Sequence, residues 1–132
     1  MAQYEKLVNC LSHKVTILKE VETGIFKEII SFPPSGKEIR CVPKEQSEFY
    51  DLTEMWGFPV YDAPVFENIS NLPESNETDI IVSEIVARYM AKHTDWKGRV
   101  FFPDTGPGSV IKSPNGQLIG VRRMLICNKA TA

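Results

Sequence analysis

Proline and glycine residues divide this chain into short segments, and that division constrains the fold more than any other feature. The 132 residues include nine prolines and eight glycines. Proline breaks the interior of a helix, and glycine weakens it. The runs between these breaks are rich in β-branched and apolar residues, which favours short strands. The predicted strands include 14–18, 25–32, 38–42, 79–82, 100–102, 110–112 and 117–126.

One segment predicts a helix instead. Ser83 follows the apolar run 79–82 and is a suitable N-cap, and Glu84 complements the helix dipole in the first turn. Ile85, Val86, Tyr89 and Met90 share one face at helical spacing. We therefore predict a single α+β domain over residues 1–132. It contains an antiparallel or mixed sheet of six to eight short strands and one main helix near 83–92.

Charge and hydropathy exclude several classes of partner. The chain carries 15 Lys and Arg against 17 Asp and Glu, a formal net charge of -2. Nonspecific binding to nucleic acid or to an anionic membrane requires a dense basic surface, which this balance does not supply. No apolar run approaches the roughly 20 residues that span a bilayer, and no signal peptide is evident. We expect a cytoplasmic protein with neither a membrane nor a nucleic-acid partner.

The three cysteines, Cys10, Cys41 and Cys127, do not predict a disulfide framework. Cys10 and His13 have the spacing of two zinc ligands, and the other two cysteines would complete a tetrahedral set. Strong zinc sites pair two such short spacings, whereas here the other two cysteines stand alone. We therefore favour buried free thiols, and we predict neither a metal nor a cofactor.

A short motif after strand 100–102 invites comparison with aspartic proteases. Asp104-Thr105-Gly106 resembles their catalytic signature, but one triplet per chain would require a dimer to supply two carboxylates. The dozen or so residues before Leu118-Ile119-Gly120 leave no room for a flap. The favoured interpretation is a turn in which Asp104 accepts hydrogen bonds from backbone amides. A small hydrolase that uses Asp104 with His13 stays an alternative.

Several arginines predict an anion-binding site. Arg122 and Arg123 are adjacent in the last predicted strand, so their side chains should point to opposite faces. Arg99 precedes another strand, and the Gly106-Pro107-Gly108 loop offers backbone amides. The hypothesis is that Arg99, Asp104, Arg122 and Arg123 form a site for a small anionic, nucleotide-like ligand. The competing interpretation is ordinary solvated charge.

Aromatic residues are concentrated in the middle of the chain. Trp56, Phe58 and Tyr61 follow Phe49 and Tyr50 within a segment that carries at most one helical turn. Aromatic side chains contribute much of the binding energy at protein interfaces, so these three are candidate partner-binding residues. A lid over one end of the core is the equally weighted alternative.

The order of several motifs resembles a family of small proteins that is frequent in bacteriophages and scattered through bacterial genomes. The matching blocks are 9–13, 33–36, 57–60, 71–73, 81–83 and 115–120, in the same order along nearly the whole chain. Ser12 stands where the family has proline, and the stretch 44–57 is longer. The resemblance implies a phage or mobile-element origin and no particular chemistry.

Together these observations favour a small accessory protein that acts as a non-enzymatic binding module, in the host cytoplasm if phage-encoded. Its expected partner is a host protein or a small anionic ligand, with a role in counter-defence and with homo-oligomers left open. The question of catalysis is left undecided by the residues. The alternatives are the Asp104–His13 hydrolase and a minor structural virion protein.

Overall fold

The computed structural model describes residues 7–43, 49–50, 53–61 and 65–128. In these ranges the helices are α1 (Thr53–Trp56) and α2 (Glu84–His93). The strands are β1 (Leu7–Asn9), β2 (Val15–Glu22), β3 (Ile25–Phe32), β4 (Arg40–Pro43), β5 (Phe49–Tyr50), β6 (Val60–Tyr61), β7 (Phe66–Ser70), β8 (Asp79–Ile81), β9 (Val100–Pro103), β10 (Val110–Lys112), β11 (Leu118–Val121) and β12 (Met124–Cys127). The α+β class is confirmed, and the strands of the described residues outnumber the predicted six to eight.

A four-stranded sheet in the order β1-β8-β9-β12 supplies both hydrophobic cores. Strands β1, β8 and β9 are parallel, and β12 is antiparallel to β9. Ile80 packs with Val86 and Met90 of α2, whereas Ile81 packs with Val15 and Val121 of a second sheet. Successive side chains of a strand point to opposite faces. The apolar run 79–82 is therefore buried on both sides, as its composition predicts.

Helix α2 begins where the sequence predicts. Ser83 has extended backbone angles, and its Oγ accepts a hydrogen bond from the Val86 amide at 3.3 Å, as an N-cap does. Val86, Ala87 and Met90 are buried, but Ile85 is exposed. The prediction that Ile85 belongs to the buried face of α2 is thus wrong. Small Ala87 takes part in the contact with the sheet instead.

The second sheet has the order β10-β11-β2-β3. The turn Ser113-Pro114-Asn115-Gly116 joins β10 and β11 as an antiparallel hairpin, and Gly116 adopts a φ of 85° that suits glycine there. The predicted strand 117–126 differs, because it breaks at 122–123. Its first part, β11, belongs to this sheet, and its second part, β12, belongs to the sheet beneath.

Two short ribbons complete the described structure. Strand β4 pairs with β7, and β5 pairs with β6; neither pair joins a four-stranded sheet. Helix α1 lies between β5 and β6 in the chain and is followed by Gly57, whose φ is 81°. We call the described residues 49–50 and 53–61 the arm. The arm contains one helical turn, which is the most that the sequence predicts for this segment.

Candidate functional site

The Asp104 carboxylate is held by two donors. Its Oδ1 accepts a hydrogen bond from the Gly106 amide at 3.0 Å, and its Oδ2 accepts one from Arg123 Nε at 2.7 Å. The bond from the Gly106 amide, and after it the bond from Arg123, lower the pKa of the Asp104 carboxyl below its usual range. The turn predicted for Asp104 is confirmed. A carboxyl that stays ionised in this way is a poor general acid.

Arg122 and Arg123 lie between β11 and β12 rather than within one strand, and their side chains diverge. The Arg123 guanidinium pairs with Asp104. The Arg122 guanidinium lies 3.7 Å from a Glu20 carboxylate oxygen and 5.2 Å from the centroid of the Phe26 ring. Arg122 therefore contacts β2 and β3, whereas Arg123 contacts the loop that follows β9.

The backbone of this junction binds the 104–109 loop. The Arg122 amide donates to the Ser109 carbonyl at 2.9 Å, and the Asp104 amide donates to the Arg123 carbonyl at 3.1 Å. Ser109 is fully buried, and its Oγ also accepts from the Arg122 amide at 3.1 Å. The structure thus brings three of the four predicted ligand-binding residues together, Asp104, Arg122 and Arg123. Each guanidinium, however, faces a carboxylate of the protein itself.

Arg99 does not join this group. It precedes β9, whereas Asp104 follows β9, so the two lie about 16 Å apart along an extended strand. The Arg99 amide donates to Asp79 Oδ1 at 2.7 Å, and its Nε lies 3.9 Å from Asp79 Oδ2. Arg99 is consequently at the opposite end of β9 from the Asp104 loop.

His13 lies in the loop before β2, and its Nδ1 is 3.1 Å from the Lys14 carbonyl oxygen. Both side-chain oxygens of Asp104 are engaged by Gly106 and Arg123. Among the described residues, no hydrogen bond joins Asp104 to His13, and an acid–base pair would require one.

None of the three cysteines, all of which lie in the described ranges, forms a disulfide. Cys10 and Cys127 are buried and Cys41 is half-buried. Burial raises the pKa of both the Cys10 and the Cys41 thiols, so the neutral form is favoured. Within the described ranges, no cluster of three or more His, Cys, Asp or Glu side chains has a geometry that would hold a metal ion.

The arm exposes large apolar side chains. Met55 is 69% exposed, Trp56 62% and Phe58 54%. Val65, just beyond the arm, is also largely exposed. The backbone of Tyr61 pairs with Phe49, but the Tyr61 side chain lies outside the described part of the chain. Two of the three predicted partner-binding side chains therefore face solvent, which is the opposite of a lid over the core.

A cleft that the sequence does not predict opens between β2 and β11. It has a volume of about 530 Å³ and is lined by the loop before β2, the start of α2, the residues around Asp104 and strand β11. His13, Lys14 and Ile119 are among its lining residues. No local motif marks them, because the cleft exists only through the pairing of strands that are about a hundred positions apart in the sequence.

No family model, curated protein or solved structure matches the chain. In the part of the chain that the structure describes, no helix combines the length and the apolar composition needed to cross a bilayer.

Proposed function

We propose that the protein is a non-enzymatic binding module that recognises a partner protein through Trp56 and Phe58. The observation that carries this proposal is the exposure of both rings, together with Met55, on one short arm. Large apolar side chains that cluster on the surface of a folded domain are typical of interfaces. Tryptophan in particular is enriched among the residues that dominate binding energy.

The position of the arm also suits a docking role. Among the described residues, its two strands pair with each other and with no strand of the two larger sheets. The described side chains of the two hydrophobic cores come from other segments of the chain. A partner can therefore enclose the aromatic side chains without disturbing the packing that holds the domain together. The expected complement is a protein surface with an apolar groove deep enough for an indole ring.

The resemblance to phage proteins favours a host component as that partner, and sequestration of a defence protein is the role that we infer. Trp56 lies in the stretch 44–57, where this chain is longer than the family pattern, whereas Phe58 lies in the matching block 57–60. Binding without catalysis agrees with the engagement of Asp104 by Arg123 and the Gly106 amide.

The test compares wild type with a Trp56→Ala/Phe58→Ala variant. Each protein is immobilised and exposed to host lysate, and any protein that wild type retains and a blank support does not is purified and titrated against both by calorimetry. We expect the double variant to bind this protein at least about tenfold more weakly. Since both rings are exposed, its melting temperature should stay close to that of wild type.

The matched control is Ile25→Ala/Ile29→Ala, which removes similarly exposed apolar side chains from β3. This control should bind like wild type. Equal affinity of the arm variant and wild type would overturn the proposal. Sedimentation analysis separates the remaining case: if wild type dimerises and the arm variant does not, the arm binds a second copy of the chain, and the proposed host partner is wrong.

A further inference from the structure

The cleft between β2 and β11 originates where two parallel strands separate. Their ladder consists of the single pair Ile17–Val121. A Cβ atom built on Gly120 would lie 2.7 Å from the Thr16 carbonyl oxygen, so the two backbones still touch at this point. Beyond it, towards Lys14 and Leu118, the ladder does not continue. The gap between the strands is the cleft of about 530 Å³, a volume within the range of small-molecule sites.

The walls of this cleft are largely apolar. Leu11, Val15 and Val121 are buried and form part of the core beneath it. Leu118 and Ile119 are 55% and 50% exposed and also line it. Ile119 shares a face of β11 with buried Val121, because side chains alternate along a strand. A ligand with a flat apolar body would remove exposed Ile119 from water, which favours binding.

The charge at the mouth of the cleft is unbalanced. Lys14 lines it and makes no ion pair with any described residue. The other charged lining side chain, Glu84, pairs with Arg88 at 2.9 Å. Its negative charge is thus compensated on the helix surface, and the positive charge of Lys14 is left for a ligand.

The loop that carries Lys14 is held in place before any ligand arrives. Asn9 is buried, and its Nδ2 donates to the His13 carbonyl at 3.0 Å and to the Phe32 carbonyl at 2.9 Å. Its Oδ1 accepts from the Leu11 amide at 2.9 Å. These bonds fix the path of residues 11–13 beside the cleft. Such a preformed loop reduces the entropy cost of binding.

We infer that this cleft binds a small organic anion, with its apolar body against Ile119 and its phosphate or carboxylate at Lys14. A mononucleotide has the required chemistry and size. This site is separate from the arm and does not depend on the partner proposed above. It also differs from the arginine site predicted from the sequence, because it contains none of Arg99, Arg122 and Arg123.

The experiment titrates the purified protein with 1-naphthyl phosphate, 1-naphthoate and AMP, followed by calorimetry and by backbone amide NMR. Two half-ligands, 1-naphthol and inorganic phosphate, separate the contributions of the apolar body and the anion. We expect at least one complete anion to bind more tightly than either half. The shifted amides should include those of residues 14–16 and 118–121. Comparison of the naphthyl phosphate with the carboxylate and AMP identifies the preferred source of the charge.

Two variants test the assigned ends of the site. Lys14→Gln should weaken binding about tenfold and reduce its dependence on salt, and Ile119→Ser should weaken it through lost apolar contact. Lys37→Gln and Ile29→Ser remove similarly exposed side chains that do not line this cleft, and each should leave affinity within about twofold of wild type. The inference is overturned if no complete anion binds at millimolar concentration, or if the shifted amides lie elsewhere. Unchanged affinity in both cleft variants would overturn it as well.

Discussion

The guanidinium of Arg123 donates a 2.7 Å hydrogen bond from Nε to Oδ2 of Asp104, across 19 positions of sequence. Arg123 lies in the junction at which the chain passes from one four-stranded sheet to the other, and Asp104 directly follows β9. The Asp104 amide in turn donates to the Arg123 carbonyl at 3.1 Å. The pair therefore ties the crossing segment to the loop beside it.

This pair predicts a pH dependence of stability. The folded-state pKa of the Asp104 carboxyl is lowered by the Gly106 amide and by Arg123. Its contribution to stability is therefore present above the unfolded-state pKa of about 3.9 and is lost as pH falls through the lower folded-state value. We expect Asp104→Asn to be less stable than wild type in urea at pH 7, with the difference shrinking as pH is lowered from 4 to 2. Asp95→Asn, an exposed carboxylate after α2, is the control and should match wild type at both ends of the range. A pH-independent difference for Asp104→Asn would contradict this account.

The cap of α2 predicts a second effect. Ser83→Ala leaves the Val86 amide without the Oγ acceptor at 3.3 Å, and we expect a loss of about 1 kcal/mol in the free energy of unfolding. Ser83→Asp replaces the acceptor and should recover most of that loss. Urea denaturation measures both values, and equal stability of the alanine variant and wild type would show that the cap contributes nothing.

Glycine is required at position 98 because the backbone of Thr78 passes very close to it. A Cβ at this position would lie less than 2 Å from the Thr78 carbonyl oxygen, and the Gly98 amide donates to the Asn76 carbonyl at 3.0 Å. Gly98→Ala must displace backbone atoms, so we expect a destabilisation of about 3 kcal/mol. Gly108→Ala is the matched control, because the nearest atom to its new Cβ is Arg123 Nη2 at 4.0 Å. Thermal unfolding of the two variants compares them directly, and similar melting temperatures would contradict the prediction.

Buried Asn9 is the last test. Asn9→Ala would leave the Leu11 amide and the His13 and Phe32 carbonyls without their side-chain partner. We expect a loss of about 1–3 kcal/mol in the free energy of unfolding. Asn9→Asp retains an acceptor for Leu11 but no donor for the two carbonyls, so it should recover little. Faster hydrogen exchange at the Leu11 amide in the alanine variant would place the effect in this loop, and unchanged exchange would count against it.

The features that the sequence determined are those in which all partners are neighbours in the chain. The Ser83 cap contacts an amide three positions later, and the Asp104 turn contacts one two positions later. The turn at Gly116 is equally local. Such contacts arise from residue type and spacing alone. Ile80 and Ile81 are adjacent in a strand, so their side chains point to opposite faces and both faces must be covered.

Only the tertiary structure decided how the two sheets share the chain. The segment 117–126 is one predicted strand but two strands of different sheets, which meet at Arg122, and the separation of Arg99 from Asp104 follows from their positions at opposite ends of β9. The approach of Lys14 to Ile119 depends on the pairing of β2 with β11. These arrangements join residues that are distant in sequence. They are stabilised because the two sheets bury their facing apolar surfaces against each other, and no local sequence pattern encodes which strands meet there.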